Sequence, residues 1–172
     1  MTACDRIRLF EQVRAVPYGT DGAHDAQSLL TAPCGDCLAK SAYLLQGFAA
    51  LGLRVRRVRW LYLLPPHPAQ VALLPSRQDV HTALEVAVGG VWVLVDATHD
   101  PGLAAAGFTV AQWDGTGPTA PAYPAVGPVW RAGDPAPEPV PNASLDEEPD
   151  PSAVRAYQAA YNRWLREVRA GA

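Results

Sequence analysis

The chain has 172 residues, 49% of them hydrophobic, which is enough to build the core of one domain over residues 1–172. A net charge of −3 gives no reason to expect a nucleic-acid partner or an acidic membrane surface. No run of 18 apolar residues occurs and the N-terminus has no apolar signal core, so we expect no membrane partner. Three cysteines are too few for a disulfide framework, which favours a reducing, cytoplasmic location.

Two elements are predicted before residue 34. Apolar spacing predicts a first helix over residues 3–16, which Pro17 ends. Residues 17–33 are rich in turn formers, and we expect a loop there with a short helix over 25–30.

A second helix is predicted over residues 37–51. Its apolar residues recur at helical spacing, and Gly52 ends the run. Asp36 is the predicted N-cap, since its carboxylate can accept a backbone N–H of the first turn. Cys37 then lies in the first turn, where the positive end of the helix dipole favours a thiolate.

Residues 53–64 are predicted to form a strand whose alternation changes parity between Arg56 and Arg57. A one-residue bulge at that point would reconcile its two halves. The strand also carries four arginines, which form either an anion site or, more commonly, a solvated strand face. The arginines are Arg54, Arg56, Arg57 and Arg59.

The clearest strand pattern is a hairpin, in which residues 81–88 and 91–98 flank Gly89 and Gly90. A two-residue turn at the glycines places His81 and Asp96 on one face of the hairpin and a row of aliphatic residues on the other. The two polar side chains are then diagonal neighbours, with backbones roughly 7–8 Å apart, so that they can meet.

The remaining segments carry weaker patterns. Residues 65–79 are proline-rich and irregular, with a short strand expected at 71–74. A second proline-rich segment, about 114–151, is expected to wrap the domain. A C-terminal helix is predicted over about 152–169, capped by Asp150; its apolar stripe either packs on the core or binds a partner.

Three of these residues suit one reaction. Cys37 is the candidate nucleophile, His81 the candidate general base and acid, and Asp96 the group that orients the imidazole. The backbone N–H of Cys37 is a candidate oxyanion donor, and Tyr18 and Gln27 are candidates for a second donor.

The sequence around these residues resembles the transglutaminase-like superfamily. The similar blocks are Gly-Asp-Cys at 35–37, His-Thr-Ala-Leu-Glu-Val at 81–86 and Trp-Val-Leu-Val-Asp-Ala-Thr at 92–98. They occur in the order of the family's Cys, His and Asp blocks and span roughly residues 34–98.

The resemblance implies an α+β, papain-like fold in which a cysteine-bearing helix packs on an antiparallel sheet. It implies a Cys37–His81–Asp96 triad that forms a thioester from a peptide, protein or other amide-containing substrate. The acyl group then passes to water or to an amine. No cofactor and no metal are expected.

Other interpretations remain open at this stage. A catalytically inactive binding module could keep the same fold. The Cys34-x-x-Cys37 spacing could instead indicate a redox pair, or half of a zinc site completed by His81 and His99. Within a triad, His99 and Asp100 are the alternative base and orienting acid.

Overall fold

The structure is a computed structural model, which describes residues 3–65, 67–68, 71, 78–134 and 150–171. Within these residues the elements are α1 (Ala3–Ala15), β1 (Tyr18–Ala23), α2 (Cys37–Ala50), β2 (Val55–Leu63), β3 (Gln78–Val88), β4 (Val91–Val95), a 3₁₀ helix (Pro101–Ala106), β5 (Trp130–Arg131) and α3 (Pro151–Ala170). None of the described helices is long and apolar enough to cross a membrane.

Four strands form one antiparallel sheet in the order β4-β3-β2-β5. Helix α2 packs on one face of this sheet, and α1 packs against α2. The combination of packed helices and an antiparallel sheet is an α+β architecture.

The β3–β4 turn takes the backbone conformation that its glycines predict. Gly89 and Gly90 have φ angles of 60° and 86°, which a type I′ turn requires at its two central positions. The strands pair in the predicted register as far as Val95, which lies opposite Leu84. The ladder was expected to continue to Thr98, but β4 ends at Val95 and the chain turns away.

Strand β2 contains no bulge, so that prediction was wrong. Its pairing with β3 runs without interruption from Val55, opposite Val86, to Leu63, opposite Gln78. The apolar residues change parity because β2 contributes to clusters on both faces: Val55 packs with the core under α2, whereas Trp60 is buried on the opposite face.

The face under α2 is the larger core. Each side chain fully buried there stabilises the fold by about 1.5–3 kcal/mol. The cluster joins α1, α2, β3 and β4 through Phe10, Val13, Leu44, Phe48, Leu84, Val86, Val93 and Val95.

The opposite face is covered by the first part of the proline-rich segment. The N–H of Thr119 donates to the carbonyl of Leu94 at 2.9 Å, and the N–H of Val126 donates to that of Leu61 at 2.7 Å. Tyr123 packs on the sheet between these two points. Two predictions fall partly outside the described residues. They are the wrapping segment, from 135 to 149, and the strand at 71–74, of which only Val71 is described.

One arginine of β2 is part of the sheet's own packing. Nε of Arg56 donates to Glu85 at 2.6 Å, and its guanidinium lies 4.3 Å from the centre of the Trp92 ring. Glu85 also pairs with Arg131 of β5 at 3.1 Å. These contacts favour a structural role for Arg56 over an anion site.

Residues 17–33 differ from the prediction in two ways. Residues 18–23 form strand β1, and residues 25–30 form turns instead of a helix. Asp25 explains the turns, because its carboxylate accepts the backbone N–H groups of Gln27 and Ser28 at 2.8 and 2.9 Å. Such local side-chain bonds compete with helix formation.

Helix α3 begins as its sequence predicts. The N-cap Asp150 accepts the N–H of Ser152 at 3.0 Å, and Pro151 occupies the first helical position. Five residues of its predicted apolar stripe, which also included Val154, pack with Tyr18 and Leu103. These five are Tyr157, Tyr161, Trp164, Leu165 and Val168.

Candidate active site

Cys37 is the first residue of α2, as predicted. The N-cap Asp36 accepts the N–H of Ala39 at 2.8 Å. The N–H of Cys37 has no partner within the helix, because the first turn leaves its amides unpaired. The thiol is free and half-buried, so it remains reachable from solvent.

Strand β1 holds the start of α2 in place. The N–H of Ala23 donates to the carbonyl of Cys34 at 2.9 Å, and the N–H of Asp36 donates to the carbonyl of Ala23 at 3.2 Å. Gly35 fits because it has no side chain, since a Cβ there would lie 2.4 Å from Leu29 Cδ1. A side chain at this position would force the fully buried Leu29 to move, so the packing here favours glycine.

His81 and Asp96 meet as the hairpin register predicted. His81 Nε2 lies 2.9 Å from Asp96 Oδ2, and both side chains are 1% exposed. Although β4 has ended, Asp96 stays beside His81 because its own backbone N–H donates to the Thr119 hydroxyl at 3.0 Å.

The Asp96 carboxylate has a second set of donors. Its Oδ1 accepts the N–H of Thr98 at 3.1 Å, and its Oδ2 accepts the N–H of Ala122 at 2.8 Å. Burial disfavours the charged carboxylate, but His81 and these donors outweigh burial and lower the pKa of Asp96 to about 2. Asp96 is therefore a fixed anion at neutral pH.

The charge of His81 follows from that anion. Burial alone would lower the pKa of the imidazole, but Asp96, followed by Cys37, outweighs burial and raises it to about 10. His81 is therefore an imidazolium at neutral pH, held between a carboxylate and a thiol.

The side of His81 that faces away from Asp96 is available to Cys37. With Nε2 on Asp96, the atom left is Nδ1, which is buried and has no hydrogen-bond partner among the described residues. Cys37 nevertheless lies close enough to raise the pKa of His81. The contact is thus looser than a formed hydrogen bond, as is common for catalytic pairs before substrate binds.

Aromatic rings enclose the imidazole. The rings of Trp60, Tyr123 and Tyr62 lie edge-on to His81, with centroids 4.8, 5.2 and 6.1 Å away. Trp60 is itself fixed, because its Nε1–H donates to the carbonyl of Tyr123 at 3.0 Å. This enclosure excludes water and limits rotation of the ring.

The comparisons with known proteins identify no family. No protein-family model matches the chain, and no curated protein matches it. A solved structure that matches is a candidate cysteine protease from Cytophaga hutchinsonii, at 20% identity and a TM-score of 0.41. The match covers 54% of this chain and 30% of that protein's chain.

The two candidates for a second oxyanion donor are found in different places. Tyr18 is buried, and Cys37 is among the neighbours that raise its pKa, after burial, Tyr161 and Tyr62. The phenol therefore stays protonated beside the thiol. Gln27 is exposed and lines a surface depression that includes neither of those residues.

His99 and Asp100, the alternative base and acid, are engaged elsewhere. His99 Nδ1–H donates to the carbonyl of Thr109 at 3.0 Å, and burial lowers the pKa of His99 to about 4. Asp100 pairs with Arg169 of α3 at 2.6 Å and accepts the N–H of Tyr18 at 2.8 Å.

Cys34 has a separate environment from Cys37. It is a buried free thiol that donates to Asp21 at 3.3 Å, and burial, followed by Asp21, raises its pKa to about 11. The proposed zinc ligands do not form a cluster, since the described residues contain no group of three or more His, Cys, Asp or Glu suited to a metal. The structure therefore does not bring Cys34, Cys37, His81 and His99 together as one group.

Lys40 is the polar residue of this region that the sequence interpretation missed. Its side chain is 1% exposed, and Nζ donates to the carbonyls of Thr98, Ala97 and Arg14 at 2.8, 3.3 and 3.4 Å. It thus joins α2 to the segment that follows Asp96. The sequence does set this residue apart, because Lys40 is the only lysine among its 14 lysines and arginines.

Proposed function

We propose that the protein is a cysteine-dependent hydrolase or acyltransferase that acts on an amide or peptide bond through a thioester. The observation that carries the proposal is the Asp96–His81 pair, which leaves Nδ1 of a buried imidazolium next to a thiol at a helix N-terminus. Cys37, His81 and Asp96 are the proposed triad, and its arrangement agrees with the transglutaminase-like resemblance of the sequence.

The first half of the proposed reaction forms the thioester. The Cys37 thiolate attacks the substrate carbonyl carbon, and the carbonyl π electrons move to oxygen to give a tetrahedral oxyanion. The intermediate collapses, the C–N bond breaks, and His81 Nδ1–H protonates the departing amine. An acyl-Cys37 thioester and a neutral imidazole remain.

The second half releases the acyl group. Neutral His81 accepts a proton from water or from an incoming amine, whose lone pair attacks the thioester carbon. Collapse of this second oxyanion breaks the C–S bond and restores the Cys37 thiolate beside the His81 imidazolium. Water yields a carboxylic acid, and an amine yields a new amide.

Two donors are proposed for the oxyanion. One is the backbone N–H of Cys37, which has no partner within the helix. The other is the hydroxyl of Tyr18, a residue that pairs with Gly35 just before Cys37, and it lies 3.4 Å from the hydroxyl of Tyr123. Donors aimed at the oxyanion lower the barrier most when water is excluded.

Iodoacetamide alkylation, with the modified site identified by mass spectrometry, tests the proposal. We expect Cys37 to react faster near neutral pH than Cys4 and Cys34 of the same molecule. His81→Ala and Asp96→Asn should slow only the Cys37 reaction, because they remove the imidazolium or its anchor. Urea-unfolded protein, in which all three cysteines should react alike, is the control.

Equal alkylation of the folded wild-type cysteines, unaffected by His81→Ala, would contradict the proposal. The alternative of an inactive binding module predicts a reactive Cys37 that is acylated once and never turns over. Release of p-nitrophenol from p-nitrophenyl acetate distinguishes the two, since a catalyst releases many equivalents and an inactive module at most one.

A further inference from the structure

A cleft of about 400 Å³ adjoins the proposed triad. It lies between α3 and the end of the sheet where β2 finishes and β3 begins. Its size is suited to a side chain and the neighbouring backbone. Two of its lining residues, Tyr62 and Tyr123, also pack edge-on against His81, with ring centroids 6.1 and 5.2 Å from the imidazole. The cleft therefore shares two of its walls with the proposed catalytic histidine.

Tyrosine is the commonest residue in the walls of the cleft. Tyr62 stacks on Tyr123 with ring centroids 4.1 Å apart, and Tyr157 lies parallel to Tyr161 at 5.7 Å. Tyrosine ring faces carry negative charge density that attracts ammonium and guanidinium groups. Tyr18 contributes a fifth ring.

Asp79 is the only charged residue among the described residues that line this cleft. It lies two residues before His81 on β3, opposite Tyr62, and so shares the face of the sheet that carries the imidazole. Its carboxylate accepts the N–H of Val80 at 2.7 Å and the hydroxyl of Tyr62 at 3.4 Å. No basic side chain pairs with it within the described part of the chain.

A carboxylate beside aromatic rings is complementary to a cation. Asp79 is exposed, so an ammonium or guanidinium group that enters the cleft from solvent can reach its carboxylate. The rings would pack on the aliphatic part of a long side chain and attract its charged end.

We propose that this cleft binds a lysine or arginine side chain of the acyl-donor substrate, close to the bond that is cleaved. The inference rests on the proposed cysteine-dependent function and gives its substrate class. Asp79 supplies the countercharge, and the tyrosine walls supply the cation–π and apolar contacts. Glutamate at the same substrate position is rejected by Asp79.

The test uses matched peptidyl chloromethyl ketones that carry lysine, norleucine or glutamate at either of the two positions nearest the electrophile. The second-order rate of Cys37 alkylation is measured by mass spectrometry at 150 mM salt. We expect lysine to react at least tenfold faster than norleucine at one position, and glutamate to react slowest. Asp79→Asn should abolish the lysine preference when each peptide rate is divided by the iodoacetamide rate of the same variant.

Glu167→Gln is the control variant, because it removes the same charge from an exposed position of α3. An equal lysine and norleucine rate in wild type would overturn the inference. A lysine preference that survives Asp79→Asn would also overturn it. The same holds if Glu167→Gln reduces the lysine preference as much as Asp79→Asn does.

A second experiment tests the cleft independently of thiol chemistry. It uses the acetylated lysine peptide without an electrophile and detects binding from shifts of the tyrosine ring signals in NMR spectra. Binding that Asp79→Asn abolishes supports the cleft even if Cys37 fails the iodoacetamide test, which would overturn only the proposed function. Absence of shifts in wild type overturns the cleft.

Discussion

The side-chain nitrogen of Lys40 lies 2.8 Å from the carbonyl oxygen of Thr98 and joins the helix of the candidate nucleophile to the segment of the candidate acid. Lys40 is one helical turn beyond Cys37, and Thr98 donates its N–H to Asp96. One buried side chain thus links both ends of the proposed triad.

Replacing Lys40 with Met should destabilise the protein by about 1–3 kcal/mol, because the buried carbonyls of Thr98 and Ala97 lose their hydrogen-bond donor. Urea unfolding measures the change. Gln46→Met, at an exposed position of the same helix, is the control and should change stability by less than about 0.5 kcal/mol. Similar losses for the two variants would contradict the role of Lys40.

His81 and Lys40 should give opposite pH dependences of the unfolding free energy. The pKa of His81 is raised from 6.5 to about 10, so its stabilisation is complete below pH 6.5 and is lost as the pH rises to 10. Burial lowers the pKa of Lys40 from 10.5 to about 7, so stability from this group rises between pH 7 and 10.5.

In wild type these two contributions largely cancel above pH 7. His81→Gln should therefore make the unfolding free energy rise between pH 7 and 10, and Lys40→Met should make it fall. At about 1.4 kcal/mol per pKa unit, the two curves should diverge by several kcal/mol. Urea titrations at four pH values measure both slopes, and parallel curves for the two variants would contradict the assignment.

Tyr18→Phe should reduce the turnover of p-nitrophenyl acetate by about 100-fold, as expected when one oxyanion donor is lost. Alkylation of Cys37 by iodoacetamide should stay within about twofold, because displacement at a saturated carbon forms no oxyanion. Tyr123→Phe removes the hydroxyl that contacts Tyr18 without removing the proposed donor, and serves as the control. An equal loss in both variants would argue against Tyr18 as the donor.

Arg169→Met should destabilise the protein by about 3 kcal/mol, because it leaves the buried carboxylate of Asp100 without its ion pair. The same guanidinium donates to the carbonyl of Tyr18 at 2.6 Å, so α3 should also loosen near the proposed cleft. Arg166→Met is the matched control, since its pair with Asp21 is 61% and 42% exposed.

Thermal and urea unfolding of the two arginine variants measure the difference. Loss of the Arg166 pair should cost less than about 1 kcal/mol, because solvent screens exposed ion pairs. Faster proteolysis within α3 of Arg169→Met, but not of Arg166→Met, would identify α3 as the element that is released. Equal stability of both variants would contradict the anchoring role of Arg169.

Local sequence features predicted the parts of the candidate site that depend on backbone geometry alone. The capped helix beginning at Cys37 follows from apolar spacing and Asp36. The glycine turn sets the register as far as Val95 and so directs Asp96 towards His81, and the Thr119 hydroxyl holds Asp96 there after the strand has ended.

Packing between distant segments decided the rest. Nothing near Lys40 in the sequence indicates that it is buried against Thr98, and nothing near Asp79 indicates that α3, more than 70 residues later, supplies two tyrosines of its cleft. The bulge predicted in β2 was wrong for the same reason, since it assumed one buried face where packing buries both. The sequence by itself determined the periodicity of each element, which short-range backbone sterics impose. The neighbours of each side chain depend on how the helices and strands pack against one another, and only the tertiary structure decides that packing.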